Sequence, residues 1–235
     1  MLVGLLSPVS DTFAGTKASA KEQRDEYRIC IDPGHQSRAN LEKEPNGPGS
    51  STMKIKVSGG THGITTGVPE YKLTLVIAKK LQKELRSRGY HVALTRYKNN
   101  VDISNKERAD HAKKRKVDIY IRLHADGANS FAANGASALC PSYNNPYVSK
   151  LYKKSKNLSN AILDAYCAET GMKNRGIIYS DTMTGINWAT MPVTLLEMGF
   201  MTNPTDDRNM QDAKYQKKMV EGIADGVDDY FGIDK

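Results

Sequence analysis

Arg28–Gln36 reads RICIDPGHQ and predicts a short buried strand that ends in a turn and is followed by a histidine. The consecutive apolar residues 29–31 are typical of a strand covered on both faces. Pro33 cannot donate to a strand ladder and Gly34 permits a sharp turn, so we expect the strand to end there. His35 is thus placed just beyond a strand, where it could bind a metal or act in catalysis. A plain surface loop has the same pattern, so this histidine needs partners.

The chain after this strand alternates predicted helices with predicted strands. A long polar loop, Ser37–Val68, comes first. Apolar periodicity then predicts helices at about residues 70–88, 105–115, 151–170 and 211–230, and strands at 90–96, 117–124, 136–140, 175–180 and 193–197. This alternation favours an α/β fold with a single six-stranded sheet, mostly parallel or mixed, and helices on both faces.

Composition and charge limit the classes of protein to which the chain can belong. With 235 residues, 39% hydrophobic and 26% charged, it has the make-up of one globular domain. No apolar run is long enough to span a bilayer, which argues against an integral membrane protein. The formal charge of +8 favours acidic partners, namely nucleic acid, anionic lipid or an anionic cell wall. Three separated cysteines without a CxxC pair exclude a thiolate zinc knuckle.

The N-terminal residues 1–26 are predicted to be a flexible tail or a degenerate export leader, and the folded domain is expected to cover 27–235. An apolar patch at Leu2–Leu6 and the small residues Ala18–Ala20 resemble parts of a signal peptide. The basic beginning of such a peptide is missing, and Pro8 interrupts the apolar run. Both interpretations of the segment stay open.

Residues with metal-binding or acid–base chemistry recur at the carboxyl ends of the predicted strands. His124 and Glu197 share this position with His35, and Glu70 opens the first long helix. In open α/β sheets ligands bind beyond these strand ends. Two histidines and one carboxylate form a catalytic zinc ligand set that leaves a fourth position for water, and a second carboxylate can act as general base. Spacing alone leaves open whether these residues meet.

Four motifs make the chain resemble a known family. They are IDPGHQ at His35, GVPEYKLTLVIAKKL around Glu70, YIRLHADG at His124 and PVTLLEMGFMTNPTD around Glu197. In this order they resemble the zinc-dependent N-acetylmuramoyl-L-alanine amidases of the amidase-3 family, over a catalytic domain at 27–235. The resemblance implies that His35, Glu70 and His124 bind one Zn²⁺ and that Glu197 is the catalytic carboxylate.

The resemblance also implies an activity and a location. The expected reaction is hydrolysis, by a zinc-activated water, of the amide between N-acetylmuramic acid and L-alanine of the peptidoglycan stem peptide. Such an enzyme would act outside the membrane, with peptidoglycan as substrate and with anionic wall polymers or a protein activator as further candidate partners. No nucleic acid or integral membrane contact is expected. A zinc peptidase or deacetylase, or a catalytically silent wall-binding module, are the alternatives.

Several residues depart from the family pattern or have two interpretations. Gln36 stands where many relatives have glycine, Arg122 stands where many have a small residue, and the long loop 37–68 resembles a clostridial-type subgroup. These departures are expected to alter substrate fit. Asp32 either orients a ligand histidine or forms a turn, and Arg122 and Arg175 are candidates for holding a substrate carboxylate. His62 is a candidate extra ligand or a solvated loop residue; His91 and His111 are expected at the surface.

Overall fold

A mixed sheet of six strands forms the centre of the fold in the computed structural model, which describes residues 18–234. A separate two-stranded hairpin lies beside it. In chain order the elements are α1 (Ala20–Asp25), β1 (Arg28–Pro33), β2 (Asn40–Pro45), β3 (Met53–Val57), α2 (Glu70–Arg88), β4 (His91–Leu94), α3 (Asn105–Lys114), β5 (Ile119–Asp126), β6 (Ala136–Cys140), α4 (Tyr152–Thr170), β7 (Asn174–Tyr179), α5 (Thr184–Asn187), β8 (Val193–Phe200), α6 (Pro204–Gln211) and α7 (Ala213–Phe231).

The order of the strands across the sheet is β4-β1-β5-β8-β6-β7. Strands β4, β1, β5 and β8 are mutually parallel, β6 is antiparallel to β8, and β7 is parallel to β6. This confirms the predicted six-stranded mixed sheet with helices on both faces. Because β1, β5 and β8 are parallel neighbours, the residues that end them lie along one edge of the sheet.

Local sequence explains where the two helices beside the site begin and end. Helix α2 ends at Gly89, whose positive φ of 119° is a conformation that glycine adopts readily. Helix α3 begins with a capping box, in which Ser104 accepts from the backbone of Glu107 and the Glu107 carboxylate accepts from the backbone of Ser104. Both boundaries agree with the sequence prediction.

The prediction that 37–68 is one long polar loop was wrong. Strands β2 and β3 pair as an antiparallel hairpin inside it. The hairpin is anchored to the domain by hydrogen bonds from Trp188 Nε1 to the Pro45 carbonyl (2.9 Å) and from Asn105 Nδ2 to the Lys56 carbonyl (2.7 Å). Most side chains of β2 are exposed, so this strand lacks the apolar alternation by which strands are recognised.

The predicted tail 1–26 falls mainly on residues outside the described ones, but its last part is folded. Residues 20–25 form helix α1, whose buried Arg24 donates from Nε to Asp228 Oδ1 (2.8 Å) in α7. Arg24 also donates to the Asp234 carbonyl (3.1 Å). These contacts join α1 to the C-terminal part of the chain, so residues 20–25 pack on the folded domain.

Candidate metal centre

Three of the singled-out side chains meet at the carboxyl edge of the sheet. His35 follows β1, His124 lies near the end of β5, and Glu70 is the first residue of α2. The distances are 3.1 Å from His35 Nε2 to Glu70 Oε1, 3.0 Å from His124 Nδ1 to the same oxygen, and 3.1 Å between the two ring nitrogens. Within residues 18–234 this is the one cluster of three or more histidine, cysteine or acidic side chains with metal-ligand spacing.

The chemistry of this donor set fits a metal ion. Ligand atoms about 2.0–2.2 Å from one tetrahedral zinc ion stand roughly 3.3–3.6 Å apart, a few tenths of an ångström more than the separations of 3.0–3.1 Å seen here. A single proton cannot satisfy all three contacts, because they join two imidazole nitrogens and one carboxylate oxygen at mutual distances near 3 Å. The other nitrogen of the His124 ring, Nε2, is buried without a hydrogen-bond partner. Two nitrogen donors and one oxygen donor therefore surround a common point.

The hydrogen bond on the far side of His35 decides which of its nitrogens can bind a metal. His35 Nδ1 lies 3.0 Å from the carbonyl oxygen of Ser58, which can only accept, so Nδ1 carries the proton. The Nε2 lone pair then faces Glu70 and His124. Such an outer hydrogen bond sets the tautomer and the orientation of a metal-binding ring.

The protonation of the other two donors also favours a cation. Burial lowers the pKa of His124 to about 4, so its imidazole is neutral near pH 7. Burial alone would raise the pKa of Glu70, but its hydrogen bonds to His124 and His35 bring that pKa well below the ordinary value. The Glu70 carboxylate also accepts from the backbone of Thr61 (3.0 Å) and Ala125 (3.1 Å), which fixes its position.

The backbone at His35 has an unusual conformation that its neighbours hold in place. Its φ is +58°, in the left-handed region that non-glycine residues seldom adopt. Arg108 donates to the carbonyls of Pro33 (2.8 Å) and His35 (3.0 Å) and to Gln36 Oε1 (3.1 Å). Gln36 Oε1 also accepts from the backbone of Ile103 (3.0 Å). Gln36 is buried, so this departure from the family pattern contacts the protein rather than a substrate.

Asp32 forms the centre of a buried charge network beneath the site. Its carboxylate accepts from Arg108 Nη1 (2.9 Å), Arg122 Nε (2.9 Å), the Tyr120 hydroxyl (3.1 Å) and the Thr95 hydroxyl. Burial opposes its charge, but the two arginines hold its pKa far below the usual range. Asp32 thus neither contacts a candidate ligand nor forms a simple turn. Among the side chains of residues 18–234, Arg108 is the one that links Asp32 to the His35 backbone by hydrogen bonds.

Glu197 stands across from the cluster on the neighbouring strand β8, where it is in register with His124. Its Oε2 is buried and has no hydrogen-bond partner. Burial raises the pKa of Glu197 well above its ordinary value, and the nearby carboxylates of Glu70 and Asp126 raise it further. A buried carboxylate with a raised pKa, next to a candidate metal centre, is a candidate for proton exchange.

A cavity of about 590 Å³ joins these groups. Its lining residues include His35, Glu70, His124, Glu197 and Arg122. The size suits a ligand larger than a metal ion and its water.

The other candidates lie apart from this cavity. His62 is exposed on its loop, His91 is exposed and paired with Asp25 (3.1 Å), and His111 is half-buried beside Arg115. Arg175 is exposed on β7, with its guanidinium 5.0 Å from the Phe200 ring. The residue that sequence reasoning missed is Arg108. In the sequence, an arginine in a helix as charged as α3 is expected to be solvated. In the structure Arg108 is buried, as are Ala109 and Ala112 of the same helix.

Comparisons with known proteins agree with this geometry. Residues 29–229 match the family model Amidase_3, N-acetylmuramoyl-L-alanine amidase. N-acetylmuramoyl-L-alanine amidase LytC of Bacillus subtilis is 29% identical over 72% of this chain and 32% of its own length. N-acetylmuramoyl-L-alanine amidase Rv3717 of Mycobacterium tuberculosis is 27% identical over 97% of this chain and 95% of its own length.

A solved structure shows the same fold. The catalytic domain of CwlV, an amidase from Bacillus (Paenibacillus) polymyxa var. colistinus, superposes with a TM-score of 0.71 and 25% identity, covering 88% of this chain and 99% of that domain. The family model covers most of the chain, including His35, Glu70, His124 and Glu197. The chain therefore belongs to the Amidase_3 family of N-acetylmuramoyl-L-alanine amidases.

Proposed function

We propose that this protein is a zinc-dependent peptidoglycan amidase that hydrolyses the amide between N-acetylmuramic acid and L-alanine of the stem peptide. The observation that carries the proposal is the convergence of His35 Nε2, Glu70 Oε1 and His124 Nδ1, which lie 3.0–3.1 Å apart. Glu197 lies beside them with one buried carboxylate oxygen unpartnered. The names of LytC and Rv3717 and the family model support the same substrate.

The residues divide the work of amide hydrolysis between them. A zinc ion held by His35, Glu70 and His124 would lower the pKa of water from about 15.7 to about 7 and polarise the amide carbonyl. Glu197 accepts the proton of the attacking water and passes it to the leaving nitrogen, which departs as an amine rather than as an unstable anion. Glu197 must be ionised to accept this proton, and a bound cation beside it would oppose the effect of burial on its pKa.

The substrate determines where the protein acts. Peptidoglycan lies outside the membrane, so we place the activity there, and the net charge of +8 suits adhesion to anionic wall polymers. Among the described residues, no helix has both the length and the apolarity to cross a membrane. A protein activator, and membership of a clostridial-type subgroup, stay predictions.

Metal removal and product analysis test this proposal together. Purified protein is stripped with a chelator, assayed on peptidoglycan, and assayed again after Zn²⁺ is added. The expected products are free L-alanine amino groups without new reducing ends, formed only after zinc is restored. Reducing ends would indicate a glycosidase, and turnover of simple peptides or acetylated sugars would indicate the alternative zinc hydrolases.

Point variants test the site itself. His124→Ala and Glu197→Gln should each lower kcat at least a hundredfold, because each removes a group on which the reaction depends. His91→Ala is the matched control, since this histidine is exposed and outside the cavity. A His124→Ala protein that hydrolyses peptidoglycan at the wild-type rate would refute the assignment of the site.

A further inference from the structure

Three buried arginines lie near the active-site cavity. Arg96, Arg108 and Arg122 are all at least 97% buried. Arg108 and Arg122 both form their ion pair with Asp32, so two guanidinium groups share one carboxylate. A buried charge without a full partner is costly, so an uncompensated guanidinium favours an anion that reaches it. Arg96 and Arg108 donate most of their hydrogen bonds to backbone carbonyl oxygens.

Arg122 differs from these two because it lines the cavity. Its Nε donates to Asp32 (2.9 Å) and its Nη2 donates to Asn105 Oδ1 (2.7 Å). A guanidinium carries five N–H groups. Asp32, Asn105 and the neighbouring Tyr120 hydroxyl can accept from three of them, so other N–H groups of Arg122 are available to a ligand. Asn105 also lines the cavity and holds the guanidinium at its place in the wall.

Space for the guanidinium is provided by a glycine. A Cβ added to Gly185 would lie 2.3 Å from Arg122 Nη1, so any larger residue there would force the arginine to move. Thr184, next to this glycine, and Met183 complete the wall on that side. Asp32 and Asn105 thus fix the Arg122 guanidinium by hydrogen bonds, and the missing side chain of Gly185 leaves the space that the guanidinium occupies.

The position of Arg122 relative to the candidate metal centre sets the size of ligand that can reach both. Arg122 and His124 are two residues apart on β5 and point to the same face, which puts their Cα atoms about 7 Å apart. Two consecutive residues of an extended peptide, such as L-alanine and the residue after it, also span about 7 Å. A substrate whose scissile amide lies at the metal centre can therefore extend one residue and place its next carboxyl group near Arg122.

We propose that Arg122 forms a carboxylate subsite that recognises the α-carboxylate of the residue after L-alanine in the stem peptide. The inference rests on the proposed function for the identity of the substrate. A fixed guanidinium is well suited to a carboxylate, because it offers parallel N–H donors in a planar fork. A neutral amide at the same place supplies one acceptor and no negative charge.

The test compares two substrates that differ only in this group, N-acetylmuramoyl-L-alanyl-D-glutamate and N-acetylmuramoyl-L-alanyl-D-isoglutamine. The wild-type protein should favour the acid over the amide by about 10- to 100-fold in kcat/KM, the range of a charge-assisted hydrogen bond. Arg122→Gln should bring that ratio to within about threefold of one, with the change mainly in KM. Arg175→Gln, which alters an exposed arginine outside the cavity, should leave the ratio as in the wild type.

The ratio is a robust readout because both substrates meet the same protein sample, so partial unfolding of a variant cancels. Equal kcat/KM values for acid and amide in the wild type would overturn the proposal and leave the amidase assignment standing. An equal loss on both substrates in Arg122→Gln would also overturn it, since that result means that Arg122 acts on Glu197 or on folding.

Binding without turnover separates this proposal from the proposed reaction. Calorimetry on the zinc-loaded protein compares L-alanyl-D-glutamate with L-alanyl-D-isoglutamine, both of which lack the scissile bond. Tighter binding of the acid by wild type, lost in Arg122→Gln, supports the subsite even if neither muramyl peptide is cleaved. Equal binding of the two dipeptides refutes the subsite whether or not the reaction is the one proposed.

Discussion

Replacing Arg108 by methionine tests whether the charge network under the site controls the metal-binding histidine. Arg108 is 1% exposed and donates to Asp32, to the carbonyls of Pro33 and His35, and to Gln36. Methionine keeps much of the length and the apolar stem but none of the five donors. The substitution therefore removes one buried ion pair and the contacts that hold His35 at a φ of +58°.

The expected loss of stability depends on the ion pair that Asp32 keeps with Arg122. Removing one partner of a buried ion pair costs about 3–5 kcal/mol, and Asp32 keeps Arg122, so we expect a loss of about 3 kcal/mol in the free energy of unfolding. At about 2–4 °C per kcal/mol for a chain of this size, Tm should fall by about 6–12 °C. Loss of a group that orients a metal ligand should also weaken zinc binding by about 10- to 100-fold.

Two measurements and one control check the reasoning. Thermal unfolding of metal-free protein gives the change in Tm, and competition with a chromophoric chelator gives zinc affinity. Arg24→Met is the matched control, since Arg24 also pairs with a buried aspartate, Asp228, on a part of the fold remote from the cavity. The control should lower Tm and leave zinc affinity unchanged. Unchanged zinc affinity in Arg108→Met, in a folded protein, would show that His35 holds its conformation without this arginine.

Three further predictions concern the same cluster. Gly34→Ala puts a Cβ 2.3–2.6 Å from the His124 ring and should weaken zinc binding at least tenfold in chelator competition, whereas Gly59→Ala, with open space around its Cβ, should not. Glu197→Gln should raise the free energy of unfolding of metal-free protein at pH 8 by about 0.5–2 kcal/mol, because burial and the neighbouring Glu70 raise the pKa of the wild-type carboxyl group; a lower Tm would contradict this. Burial lowers the pKa of His124 from 6.5 to about 4, so the folded protein binds fewer protons at this residue than the unfolded chain does. The free energy of unfolding of metal-free protein should therefore fall by up to about 3 kcal/mol between pH 6.5 and 4. In urea titrations, His124→Asn should reduce this dependence on pH.

The parts of the site that sequence could predict are those governed by strand ends. An apolar run that stops at Pro33-Gly34 marks the end of β1, and the alternation in β5 marks the end of that strand, so the sequence places His35 and His124 at one sheet edge. The structure brings both to Glu70, within 3.1 Å. Strand ends are predictable because the apolar pattern, a local property, determines them.

The parts that sequence could not predict depend on contacts between distant segments. Arg108 and Asp32 are 76 residues apart, and nothing near either shows that they form a buried pair. The hairpin β2–β3 is exposed on most of β2 and is held by Trp188 and Asn105 from other elements. Its existence is decided by those long-range contacts rather than by an apolar pattern of its own.

The same long-range contacts explain how the site can present a strained histidine with its donor atom directed at Glu70. The carbonyls of three successive residues, Pro33, Gly34 and His35, all accept hydrogen bonds from Arg96 or Arg108. These arginines donate to carbonyls, and Glu70 has no arginine partner among the described residues. A turn fixed at three carbonyls can hold a positive φ that an isolated loop would relax. The buried arginines therefore act on the backbone of the ligand, while the carboxylate charge stays available for a cation.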